Sequence, residues 1–368
     1  MTWSLVDAFE IRESVQAVFC DLSKAFDCVE HNILISKLKF YGFADNALNL
    51  IASYLTDRRQ LVVINGQRSQ TMSLKYGVPQ GSVLGPILFL IAINDLMFNI
   101  PTSNIVFADD TTFMHKHNSL NELETLKNST LTHVKSWFSA NGFLLNESKT
   151  ESLVFTLKQF DTHKCKMLGI VIDTKLTWQE HVNYISVKLS RVVYLLRRIN
   201  KCVPHAYARA VYFAYFQSII KYGLIIWGNS CHVKNVFLIQ KMAIRTLTNS
   251  TIRTHCKPLF IKENIMTVTG LYILECALYC KSNMALLQSN KNLKAYGFRN
   301  IDNFEIPSCR LSKTISNHNV MALKVGNRLP GDIFKMDIKV LKSLLTDWLI
   351  RQSFYSLKEF FDVAEILI

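Results

Sequence analysis

The run Ile105-Val106-Phe107-Ala108-Asp109-Asp110-Thr111-Thr112-Phe113-Met114 decides how the first half of this chain is read. Two adjacent carboxylates stand between apolar, β-prone neighbours. Carboxylates beside a core are costly unless they are paired or bound to metal. Two adjacent aspartates alone would suit a surface turn, but the apolar flanks and a third carboxylate, Asp21, reverse that reading. Asp21 follows the short apolar run 15–20, which reads as a buried strand. Two carboxylates at a hairpin tip facing a third on a neighbouring strand make an oxygen-rich site suited to Mg²⁺. A pair of such ions roughly 3.5–4 Å apart drives in-line phosphoryl transfer.

The surrounding chain is 368 residues long, 49% hydrophobic and 19% charged, which excludes wholesale disorder and favours two or three domains. Its formal charge of +14 is segregated. Residues 1–160 hold 13 Lys and Arg against 15 Asp and Glu, whereas 161–368 hold 29 against 13. An acidic half competent to hold metal is followed by a basic half suited to a polyanion. The nine cysteines are scattered without CxxC spacing, and no His/Cys pairs lie at zinc-finger spacing. The first ten residues lack a signal-peptide pattern, and the longest apolar run, 83–93, is too short to span a bilayer. A reducing, intracellular location follows, with nucleus and cytoplasm not distinguished and no membrane partner expected.

Periodicity predicts the following order. A strand over 15–20 leads into Asp21, and Asp27-x-x-Glu30 reads as a capping box for a helix through Ile33, Leu34, Leu38 and Phe40. A second helix covers 45–57. Residues 59–65 and 69–76 form a hairpin about Asn65-Gly66. A glycine-punctuated loop over 77–85 precedes a buried helix over 86–100, and then comes the carboxylate hairpin. Ser119-x-x-Glu122 opens another helix, strands return at 153–157 and 167–172, and Thr177-x-x-Glu180 starts a helical, basic region. Helices are expected over 185–201, 206–221, 271–283 and 338–351, with 291–330 mostly irregular. Within 185–201, Ile185, Leu189, Val192, Leu195, Leu196 and Ile199 make an apolar stripe. Lys188, Arg191, Arg198 and Lys201 fall largely outside it and suit a nucleic-acid backbone.

Three further features fit nucleotidyl transfer. Phe26, five residues beyond Asp21, could wall the sugar of an incoming nucleotide, or simply pack in a core. Gln80 and Gly81 supply an amide and a close-approach backbone for a base or template sugar, although such loops are usually plain turns. Lys149, after Asn146-Glu147-Ser148, could contact or protonate pyrophosphate, and a surface lysine would look the same.

The segments Phe19-Cys20-Asp21-Leu22-Ser23-Lys24-Ala25-Phe26-Asp27, Gly77-Val78-Pro79-Gln80-Gly81-Ser82-Val83-Leu84-Gly85-Pro86 and Phe107-Ala108-Asp109-Asp110 resemble, in order and spacing, the successive palm motifs of reverse transcriptases. They are most similar to those of jockey-like, non-LTR (LINE-type) retrotransposons. Residues 141–149 and 168–173 resemble the family's next motif and its primer-grip strand pair. Residues 240–245, 327–330 and 354–356 resemble the carboxy-terminal region of such element proteins.

The resemblance implies an α+β fold: a right-hand polymerase palm (antiparallel sheet packed on helices) over 1–173, a basic helical thumb-like region over 174–251, and a helical carboxy-terminal region over 252–368. It implies RNA-directed DNA synthesis with an RNA template, a DNA primer and dNTPs. Two Mg²⁺ ions, with Mn²⁺ as a substitute, would be held by Asp21, Asp109, Asp110 and the Leu22 carbonyl. Asp27 is left as a helix cap. Only about twenty residues precede Asp21, so the family's fingers and endonuclease regions are expected to be missing upstream. The alternative expectation is therefore a catalytically inactive retroelement remnant that retains nucleic-acid binding.

Overall fold

The computed structural model describes residues 1–158, 161–284, 287 and 303–363. The chain divides into two compact units, Met1 with Arg12–Phe160 and Thr2–Ile11 with Asp161–Ile368. The first helix, α1 (Thr2–Glu10), thus belongs to the second unit.

The first unit is built on β1 (Ser14–Cys20), whose seven residues are buried but for a half-exposed Phe19. Two helices follow, α2 (His31–Phe40) and α3 (Asp45–Leu55), then four two-residue strands: β2 (Arg59–Gln60), β3 (Val63–Ile64), β4 (Gln67–Arg68) and β5 (Met72–Ser73). Next come α4 (Leu84–Ile93), α5 (Leu96–Asn99), β6 (Ser103–Phe107), β7 (Asp110–His117), α6 (Leu120–Ala140) and β8 (Glu151–Phe155). The main sheet has the order β6-β7-β1-β8, antiparallel throughout. Val18 pairs with Phe113, and both face a core completed by Leu34 and Leu38 of α2, Phe89 of α4, and Val134 and Phe138 of α6. Side chains alternate along strands, so Phe19 and Thr112 share the opposite face.

The small hairpin turns at Asn65-Gly66 with φ of 50° and 80°, as expected of this dipeptide. The expected capping box at Asp27 is not formed. Asp27 lies in a 3₁₀ turn (Ala25–Asp27), and Glu30 occupies the N-cap of α2 with no side-chain cap bond. Pairing with the following loop overrides it: Gly77 N–H donates to the Val29 carbonyl at 2.8 Å, and Glu30 bridges Tyr76. The helix expected over 86–100 breaks between α4 and α5. There Lys37 donates to the Ala92 carbonyl and to Asp95.

In the second unit, β9 (Lys164–Met167) and β10 (Ile170–Asp173) form a ribbon around Leu168-Gly169, both at positive φ. The helices are α7 (Gln179–Ile199), α8 (His205–Val211), α9 (Ser218–Lys221), α10 (Leu224–Trp227), α11 (Val233–Leu247), α12 (Lys257–Lys262) and α13 (Val268–Ser282), then α14 (Ser312–Ile315), α15 (His318–Arg328), α16 (Ile338–Gln352) and α17 (Leu357–Asp362). A π-helical segment (Tyr212–Gln217) separates α8 from α9. Helix α7 packs on α11, and α13 on α15 and α16, around Trp227, Tyr212, Tyr272 and Phe260. Ile185, Leu189, Val192 and Leu196 are buried as expected, but Leu195 is exposed. Helix α7 starts near Thr177 as expected, with Trp178 as its N-cap in the left-handed region at φ 66°, while the Thr177 hydroxyl donates to Asp173. Of the stretch expected to be irregular, 291–302 lies outside the described residues. The part from 303 carries α14 and α15, because Val320, Met321, Ala322, Leu323 and Val325 are buried. None of the nine cysteines is in a disulfide, and no helix among the described residues is long and apolar enough to cross a membrane.

Candidate active site

Phe107 and Asp110 pair as the last rung of β6 and β7, leaving Ala108-Asp109 as a two-residue turn. Ala108 sits at φ 53°, where a Cβ costs about 1–2 kcal/mol. The strained turn holds Asp109 at the hairpin tip. On the neighbouring strand the register reaches Cys20↔Thr111, and one further step sets Asp21 opposite Asp110, on the face of Phe19 and Thr112. Beyond β1, the Asp21 carbonyl accepts from Asn146 N–H and Ser23 N–H donates to the Leu144 carbonyl, both at 2.9 Å. The intervening pair, Leu22 and Leu145, is therefore of the non-hydrogen-bonded kind. This leaves the Leu22 carbonyl turned away from Leu145, toward the β7 side.

The electrostatics record the convergence. Burial, then the charges of Asp109 and Asp21, push the Asp110 carboxyl above the ordinary range. Lys149 Nζ stands 3.4 Å from Asp21 Oδ2 and offsets part of this negative charge. The turn that presents it is closed by Lys149 and Thr150 N–H groups on the Asn146 carbonyl. The donors are hard oxygens, the chemistry Mg²⁺ and Mn²⁺ select. Among the described residues, however, no three His, Cys, Asp or Glu side chains are arranged to hold one metal ion.

Phe26 is half-buried and stacks on Phe89, ring centroids 4.5 Å apart. Its carbonyl accepts from Val78 N–H at 2.8 Å, so the Pro-Gln-Gly loop is tied directly behind it. Gln80 Nε2 donates to Asp27 Oδ1 at 3.0 Å. Gly81 has open space where a Cβ would stand. At Gly77 (φ 91°), by contrast, a Cβ would fall 2.9 Å from the Asp27 backbone. Sequence reasoning missed both Asp27 as Gln80's partner and Gly77 as a position of close backbone approach. The signal available for Gly77 was the glycine itself beside an X-Pro turn.

Residues 3–172 match the family model described as reverse transcriptase (RNA-dependent DNA polymerase). The chain is 29% identical over 307 residues to a probable RNA-directed DNA polymerase from transposon BS of Drosophila melanogaster, covering 73% of this chain and 33% of that protein. It is 25% identical over 275 residues to the RNA-directed DNA polymerase from mobile element jockey of the same organism, covering 67% and 30%. Residues 3–172 are a reverse transcriptase domain of the non-LTR retrotransposon type. The chain spans about a third of the length of these curated relatives. An apo telomerase structure from Candida tropicalis is a looser likeness, 13% identical with a TM-score of 0.41, covering 79% of this chain and 55% of that one.

The basic residues over 188–201 do not all behave alike. Lys188 lies 4.3 Å from the Tyr184 ring centroid, and Lys166 of β9 lies 5.2 Å from it. Both lysines bond the Tyr184 hydroxyl and hold it below its ordinary range. Arg191, Arg198 and Lys201 are exposed. Lys201 also lines a cavity of about 560 Å³ with Arg197 and Arg245, two cations the α7 stripe alone did not reveal. Asn200 shapes this cavity by donating to the Thr246 and Leu247 carbonyls at the end of α11. Of the aromatics, Tyr212 and Trp227 are fully buried, while Tyr194 and Tyr215 are exposed.

Proposed function

We propose that this chain carries out RNA-directed DNA synthesis, with a palm over 1–173, a thumb over 174–251 and a carboxy-terminal helical region over 252–368. The observation that supports it best is the strand register that sets Asp21, Asp109 and Asp110 at one end of β1 and the β6–β7 hairpin, where burial and the charges of Asp109 and Asp21 push the Asp110 carboxyl up. Asp21, Asp109, Asp110 and the Leu22 carbonyl would hold two Mg²⁺ ions, which when bound activate the primer 3′-hydroxyl and neutralise the triphosphate. Phe26 bounds the sugar of the incoming dNTP, Gln80 and Gly81 position it with the template, and Lys149 meets the leaving pyrophosphate. Lys188, Arg191, Arg198 and Lys201 hold the RNA template and DNA primer backbone.

The test is primer extension on an RNA template with Mg²⁺ or Mn²⁺. Asp109→Ala is expected to lower incorporation by on the order of 10²–10³-fold, the scale for removing one preorganised electrostatic contact. Equal incorporation by both proteins overturns the assignment. A second reading, an inactive remnant that only binds nucleic acid, draws on the basic balance of residues 161–368, 29 Lys and Arg against 13 Asp and Glu. It predicts binding without incorporation by either protein.

A further inference from the structure

Residues 58–76 form a β-arm in the first unit. β2 pairs with β5 at its base and β3 with β4 toward its tip. Every residue from Arg59 to Tyr76 is exposed. Composition sets the arm apart from its unit: it carries Arg58, Arg59, Arg68 and Lys75 and no acidic residue, while the rest of 1–160 holds 9 Lys and Arg against 15 Asp and Glu. No ion pair among the described residues engages Arg59, Arg68 or Lys75. Like charges collected on one ribbon repel each other, a cost that a polyanion relieves.

We propose that the arm 58–76 is a nucleic-acid-binding ribbon that grips the phosphate backbone of a duplex at the carboxylate face. Its position follows from its root. Tyr76 bridges Glu30, Gly77 N–H donates to Val29, and Val78 N–H donates to Phe26, so the arm is hydrogen-bonded to the segment carrying Phe26 and Asp27. A two-stranded ribbon has the width to lie along a groove, as strand-type nucleic-acid readers do. Single-strand binding relies on aromatic stacking platforms, and the arm's one aromatic side chain is Tyr76, at its root and away from the tip. A protein partner covering the exposed Val62, Val63 and Ile64 would bury unpaired arginines beside them. A duplex instead neutralises those cations at the groove edge.

The arm rests on the reading of the carboxylate face as a nucleic-acid site, and a binding assay separates the two. With the full chain and a labelled RNA–DNA hybrid, affinity is measured against salt for the wild type and for the triple variant R59Q/R68Q/K75Q. Each phosphate contact contributes about 0.9 to the slope of log K against log salt, so the triple variant should flatten it by up to about 2.7. The substituted side chains are exposed, and an unchanged melting temperature verifies the fold. An unchanged slope overturns the proposal. So does salt-insensitive self-association that Ile64→Ser abolishes while duplex binding is untouched, which would make the arm a contact between copies. Loss of dNTP incorporation in the triple variant with an unchanged slope likewise overturns the arm and places the effect in catalysis alone.

Discussion

Gln80 Nε2 donates a 3.0 Å hydrogen bond to Asp27 Oδ1, closing the Pro-Gln-Gly turn onto the 3₁₀ turn that carries Phe26. Together with Val78 N–H on the Phe26 carbonyl and Gly77 N–H on the Val29 carbonyl, it fastens three successive points of the loop. The side-chain pair is exposed, so its net contribution to stability is small. What it fixes is where the Gln80 amide stands relative to Phe26.

Gln80→Ala and Asp27→Ala should therefore each lower single-nucleotide incorporation, and the double variant should be little worse than either. The coupling expected from a double-mutant cycle is about 0.5–1 kcal/mol, with melting temperatures almost unchanged. Strictly additive losses would mean that the two side chains act separately.

Phe26 has two separable roles to test. Its ring stacks on Phe89, so Phe26→Val removes packing as well as bulk toward the proposed sugar position. Loss of a sterically excluding group should narrow the dNTP-over-rNTP preference by roughly 10–200-fold, the range for one hydrophobic contact's worth of discrimination. Competition between dNTP and rNTP measures it. A preference that stays constant while the protein melts lower would leave Phe26 a packing residue only.

Much of this arrangement was legible because it is local. Asn65-Gly66 specifies its own turn, the apolar run ahead of Asp21 specifies a buried central strand, and α7's buried stripe follows 3.6-residue spacing. The capping residues were not legible, because caps compete with tertiary partners. Asp27 went to Gln80 and Thr177 to Asp173, while Trp178 entered the left-handed region to start α7. Arg245 joins Arg197 and Lys201 only through α11 packing on α7, which no spacing within one helix reveals.

Asp173 shows how much one such partner can hold. It is 1% exposed, and its carboxylate accepts from the N–H groups of Lys175, Thr177 and Trp178 at 2.9–3.1 Å and from the Thr177 hydroxyl. These bonds join the end of β10 to the start of α7. Asp173→Ala strands several donors in a buried site and should cost about 3–4 kcal/mol in urea denaturation, with Asp173→Asn recovering part. A loss below about 1 kcal/mol would show that water replaces the carboxylate.

The last prediction concerns acid. His181 is 1% exposed, its Nδ1 accepts from Val171 N–H at 3.3 Å, and its ring meets the edge of Trp227. With Nδ1 accepting, the ring is neutral with its proton on Nε2, an atom buried without a partner. Burial first, and the Lys188 charge second, lower its pKa to about 4. The unfolded chain binds this proton near pH 6.5, before the native state does. The stability associated with neutral His181 is therefore complete above that pH and lost as pH falls toward about 4. The gap of about 2.5 pKa units corresponds to about 3 kcal/mol. His181→Gln keeps an acceptor for Val171 N–H but cannot titrate. Denaturation midpoints of the two proteins should converge as pH is lowered from 7 to 4, and parallel curves would place the acid sensitivity elsewhere.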